Sequence, residues 1–183
     1  LSKERSGPTT TASIRISDVI KVLPQKTTLL LGFAVMGPFS QYVAFSTWLP
    51  TFYQEVRGMT PALTSLITGI LPFVGIGGTL LGGVLPSRMG LRKPFLLVPG
   101  ALVGLAGIAS FATGNIPVTI GGIMLLGFLS WVFVPTIFTI PMELPGTSPE
   151  KVGIILAATM ALGNLGTFVS PMSVGYLTDV FGT

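Results

Sequence analysis

Residues 94–142 read PFLLVPGALVGLAGIASFATGNIPVTIGGIMLLGFLSWVFVPTIFTIPM, 49 consecutive positions without one Asp, Glu, Lys or Arg. A helix that crosses a bilayer needs roughly 20 predominantly apolar residues, so this run holds two crossings. Thr113-Gly-Asn-Ile-Pro117 supplies its only break, because Gly, Asn and Pro together favour a turn. Three more uncharged runs, 27–54, 58–87 and 152–178, each hold one crossing. A water-soluble helix would carry a charged face, and a soluble domain about a quarter charged residues. This chain of 183 residues has 9%. The expected fold is therefore all-α, a polytopic membrane bundle of five helices spanning about 28–50, 62–85, 94–112, 117–141 and 152–176.

The few charges sit at the ends of these runs. Five crossings place Lys3, Arg5, Arg15, Lys21, Lys26, Arg88, Arg92, Lys93 and Lys151 on one side and Arg57 alone on the other. Lys and Arg of short loops stay cytoplasmic, which predicts a cytoplasmic N-terminus and a multi-pass protein of the inner cell membrane. Residues 1–26 are expected to form a cytoplasmic linker, and 27–183 the transmembrane domain. Within the linker, Ile16, Val19, Ile20 and Leu23 fall at helical spacing opposite Arg15, Asp18 and Lys21, the pattern of a short amphipathic surface helix stopped by Pro24. An ordinary solvated lead-in to the first span is the alternative.

Several functions are disfavoured. The formal net charge of +4 is spread over span ends, not along one basic face, so nucleic acid is not an expected partner. With neither Cys nor His, the chain has no thiol nucleophile and none of the usual zinc or haem ligands; no cofactor or metal is expected. Intramembrane proteolysis would need in-span acids or His, whereas Asp18 and Asp179 lie outside the spans. A channel would need a carbonyl filter or a ring of in-span acids, and neither pattern occurs. An enzyme is not expected.

The loop Gly83-x-Leu85-x-x-Arg88-x-Gly90-x-Arg92-Lys93 resembles the Gly-x-Leu-x-Asp-Arg-x-Gly-Arg-Arg/Lys signature of the major facilitator superfamily. Gly175-Tyr-Leu-Thr-Asp179-x-x-Gly182 is similar to the echo of that motif after the family's eleventh helix, and Pro141-x-Glu143-Leu-Pro145 through Gly153 to its tenth-to-eleventh loop. Trp48-Leu49-Pro50 resembles the cyanate-permease-like group, which would imply small anions. On this resemblance the spans are helices seven to eleven, and the chain, which begins with Leu, is a fragment or truncated product of a twelve-helix transporter. Its implied partners are the bilayer, a small-molecule substrate and an N-terminal six-helix half. The implied function is secondary active transport of a small solute by alternating access. A half-carrier that acts only by assembling with a partner is the alternative. Ser87 stands where the family motif has Asp. It cannot join the charge network that this Asp forms, leaving Arg88 as a topology anchor.

Transporters of this design bind substrate near the midplane, and polar side chains in a span face a cavity or another helix. Gln41, Tyr42 and Ser46 in the first span, Ser130 and Trp131 in the fourth and Asn164 in the fifth are the mid-span polar groups. Gln41, Tyr42, Trp131 and Asn164 are the candidate substrate contacts. Asn164, between Gly163 and Gly166, equally suits an interhelical bond. Thr64, Ser65 and Thr68 are expected to bond their own backbone. The family layout implies that helices seven, eight, ten and eleven line the cavity and nine lies outside. Pro38, Pro72, Pro99, Pro135 and Pro171 are expected to bend their spans.

Overall fold

A computed structural model describes residues 16–91, 93–112 and 114–181. Among them the chain is helical apart from short connections: α1 Ile16–Val22, α2 Lys26–Glu55, α3 Pro61–Met89, α4 Lys93–Ala112, α5 Ile116–Val132, α6 Val134–Thr139 and α7 Pro149–Phe181. A 3-10 turn, Ile140–Glu143, prolongs α6. Five helical segments are long and apolar enough to cross a membrane, the fourth being Ile116–Glu143.

Local chemistry starts and stops these helices. Thr60, Asn115 and Ser148 each accept from a backbone N–H three residues on, and a Pro follows at the first or second helical position. Gly90, at φ 65°, ends α3 in the left-handed region open to glycine.

The helices pack in two groups. α2 and α7 run in the same direction, with Gly32 against Leu162, Gly163 against Val35 and Gly166 against Met36 and Ser40. The Ser170 hydroxyl donates to Ser40 O at 2.8 Å, and Trp48 Nε1 to Pro171 O at 3.0 Å. In the other group α5 lies between α3 and α4. Here backbone meets backbone: a Cβ on Gly78 would stand 2.5 Å from Phe128 O, one on Gly127 2.5 Å from Leu71 O, and one on Gly82 would collide with Val132 O. Helices in lipid gain no hydrophobic drive to associate, so such close approach replaces it.

α2 bridges the groups. Its first half shares a core with α1, α6 and α7 through Leu31, Val35, Phe133, Ile137 and Ile155. Its second half, through Leu49 and Tyr53, joins Ile67, Leu71, Val103, Ile123 and Leu126. The buried Tyr53 hydroxyl donates to Ser110 O at 2.6 Å, and Arg57 to Phe111 O at 2.6 Å, while the guanidinium lies 5.6 Å over the Phe52 ring. Tyr53 and Arg57 thus cap two C-terminal carbonyls of α4. Large apolar side chains cover the outside; Phe73, for example, is 75% exposed. In water that surface would be an aggregation hazard, but against lipid it costs nothing.

Candidate functional site

The fourth span has a defect at Pro135. Pro135 has no N–H, so the Trp131 carbonyl loses its i+4 donor and α5 ends at Val132. Phe133 N–H turns back to Trp131 O, and the ladder resumes with Ile137 N–H to Phe133 O at 3.2 Å. Only Phe133 leaves the helix, and at φ −83°, ψ −18° it keeps a right-handed helical backbone, so the 28-residue span continues through the defect.

Around it gathers an aromatic cluster. Tyr42 meets Trp131 edge-on at 5.6 Å, and Phe39 lies 5.7 Å from Trp131 and 6.0 Å from Phe133. Gly75 makes room for the indole, since a Cβ there would stand 2.7 Å from Trp131 Cδ1. Trp131 Nε1 and the hydroxyls of Ser40 and Ser130 are buried without a hydrogen-bond partner among the described residues. Leaving a buried donor unmade costs about 1–3 kcal/mol. Ser40 Oγ faces Gly166 of α7, and the hydroxyls of Thr28, Thr64, Thr136 and Thr159 are likewise unpaired, so within the cluster it is Trp131 Nε1 whose polar capacity the fold does not consume.

The four candidate contacts do not all converge. Each begins deep within its span, and Tyr42 and Trp131 touch. Gln41, one residue away, points to the other side of α2, where Nε2 donates to Val103 O of α4 at 2.9 Å. There it lines a cleft of about 550 Å³ with Ala34, Gly37, Leu97, Gly100 and Phe133, the last of which it shares with the aromatic cluster. Asn164 is exposed on α7. Ser46 donates to Val43 O, spending its hydroxyl on its own helix. Thr68 does the same with Thr64 O at 2.9 Å, as expected, but Thr64 is fully buried with its own hydroxyl unpaired. Phe39, Ser40, Phe133 and Gly75 were not singled out in the sequence. The spacing of Phe39 and Tyr42, one turn apart, was the available signal for the first.

At the far end of α3, Gly83, Arg88 and Gly90 are exposed, Lys93 opens α4, and Arg92 lies outside the described residues. The Ser87 hydroxyl donates to Val84 O at 2.8 Å, turned back on its own helix. Among the described residues no three Asp or Glu gather as metal ligands would.

Known proteins resemble the chain over much of its length. It is 30% identical over 76% of its length to a probable sulfoacetate transporter of Cupriavidus necator, covering 34% of that protein. It is 26% identical over 88% of its length to the hexuronate transporter of Bacillus subtilis, covering 40% of it. It is also 26% identical over 82% to a nitrate/nitrite transporter of Nostoc punctiforme, covering 30%. The chain thus spans about a third of the length of the curated relatives it matches. No solved structure matches it significantly. The model of the Major Facilitator Superfamily matches residues 2–171, which takes in four of the five apolar helices and most of the fifth, and the chain belongs to that family.

Proposed function

We propose that the chain is the C-terminal-half portion, helices seven to eleven, of a secondary transporter that moves a small anion across the inner cell membrane by alternating access. The observation that carries this reading is the buried aromatic cluster of Tyr42 and Trp131 beside the Pro135 defect, with the Trp131 indole N–H unpaired. Irregular backbone at membrane depth is tolerated where it is buried in protein or lines a cavity, and transporters place substrate at such segments. Tyr42 and Trp131 would bind substrate directly. Gln41 and Asn164 would contribute only if the half-site rearranges or meets another half. Small anions are favoured because sulfoacetate, hexuronate and nitrate, named for the relatives, are all of that class. The cyanate-permease-like Trp48-Leu49-Pro50 agrees. Lys26, Arg88, Lys93 and Lys151 all stand within three residues of a helix end, so a positive partner for such a substrate at mid-span would come from the other half.

The orientation we infer has the N-terminus in the cytoplasm. The nine-to-one split of cations supports it. The exposed Ile16 and Ile20 of α1 suit a helix lying on the membrane surface, on whichever face that is.

An immunoblot against residues 142–151 in native membranes comes first. A band at about twice 19.1 kDa or more supports a complete two-half carrier. A band near 19.1 kDa supports the second reading, a half-carrier that works only through assembly. For a carrier, labelled sulfoacetate or nitrate uptake into proteoliposomes should collapse in Trp131→Ala and Tyr42→Ala; unchanged uptake in both would remove the site assignment.

A further inference from the structure

The basic turn between α3 and α4 has a purpose beyond topology that the cleft beside it makes specific. A cavity of about 280 Å³ opens on the outer surface between α3, α4 and α5, lined by Leu85, Pro94, Val98, Pro99, Phe128 and Val132 among other apolar residues. Nothing polar lines it that could hold a solute, and its wall faces where lipid lies. Leu81 also lines it, and Leu81, Leu85 and Arg88 fall at i, i+4 and i+7 on one face of α3. Arg88 therefore stands one turn beyond the cleft on the stripe that forms its wall. Lys93 immediately precedes Pro94, on the opposite wall. Leu85 and Pro94 both line the cleft, so Arg88, three residues on from one, and Lys93, next to the other, stand at the same end of it. Both are exposed, and neither makes an ion pair with a described residue, the one such pair being Lys21 with Asp18. No Asp or Glu occurs between residues 56 and 142, so neither helix carries its own counter-charge.

The geometry points to a binding site for an anionic phospholipid, with one acyl chain in the cleft and the headgroup phosphate between Arg88 and Lys93. An apolar slot capped by cations at headgroup level matches both parts of that molecule, whereas a zwitterionic lipid would bring a cation of its own to the mouth. The site does not depend on which membrane face the turn occupies. It is separate from the Trp131 cluster, and neither proposal needs the other.

Native mass spectrometry of the purified chain titrated with phosphatidylglycerol or phosphatidylcholine tests the idea. Phosphatidylglycerol should bind more tightly. Each cation removed, Arg88→Gln or Lys93→Gln, should weaken it about fivefold, and the pair roughly 25-fold, with little effect on phosphatidylcholine. Val98→Trp fills the slot and leaves both charges, so it separates chain binding from headgroup binding; it should also reduce phosphatidylglycerol occupancy. Equal affinity for the two lipids, or undiminished binding in Val98→Trp, would overturn the proposal. Displacement by millimolar inorganic phosphate would do so too, since the site would then take free anions.

Discussion

Adding one methyl group at Gly82 or Gly78 should destabilise the bundle, and the same change at Gly77 should not. All three glycines lie in α3, and two are adjacent in sequence. A Cβ at Gly78 would be 2.5 Å from Phe128 O and one at Gly82 would collide with Val132 O, but one at Gly77 would have nothing within 4 Å. The obstructing atoms are backbone carbonyls of α5, which no rotamer change can move. The helices would have to part by about an ångström to restore ordinary contact, giving up packing along the whole crossing. Overpacking of this kind costs roughly 1–3 kcal/mol. Against it stands at most ~1 kcal/mol of gain from replacing Gly by Ala in a helix. At Gly77 only the gain remains, so the sign reverses. Thermal unfolding of Gly82→Ala, Gly78→Ala and Gly77→Ala in one detergent reads this directly, at about 2–4 °C per kcal/mol for a chain of this size. Equal midpoints for the Gly77 and Gly82 variants would refute the close α3–α5 crossing, and with it the placement of Trp131 against Gly75.

Trp131→Phe deletes an N–H that the fold does not use and shrinks a ring packed against Gly75 and Tyr42. It should cost about 1–3 kcal/mol through the cavity left behind, and transport should fall at least severalfold; unchanged transport would remove the indole from the site. Tyr53→Phe removes the 2.6 Å bond to Ser110 O and should cost about 1 kcal/mol in the same unfolding assay. Combined with Arg57→Leu, it should give less than the sum of the two, because both side chains fasten the same end of α4; strict additivity would count against a shared latch. Pro135→Ala returns an N–H to the Trp131 carbonyl, so it should raise the melting midpoint and slow uptake severalfold. Faster or unchanged uptake would argue that the defect has no part in transport.

The five apolar helices were legible in the chain because the requirement is one-dimensional. A span needs length and the absence of charge, and 94–142 meets it twice over without reference to any neighbour. The caps Thr60, Asn115 and Ser148 also act locally, on residues three positions away, but were not singled out in the sequence. What a mid-span polar group faces was not. Gln41 and Tyr42 are consecutive, so a helix turns them about 100° apart. Only the arrangement of α4 and α5 around α2 sends one to Val103 O and the other to Trp131. The glycines of α3 look alike in sequence, and it is the α5 backbone that makes Gly78 and Gly82 indispensable and leaves Gly77 free. Hydrophobicity decides which segments enter the membrane. Close backbone contact and a few hydrogen bonds, both acting between segments far apart in the chain, decide how those segments meet.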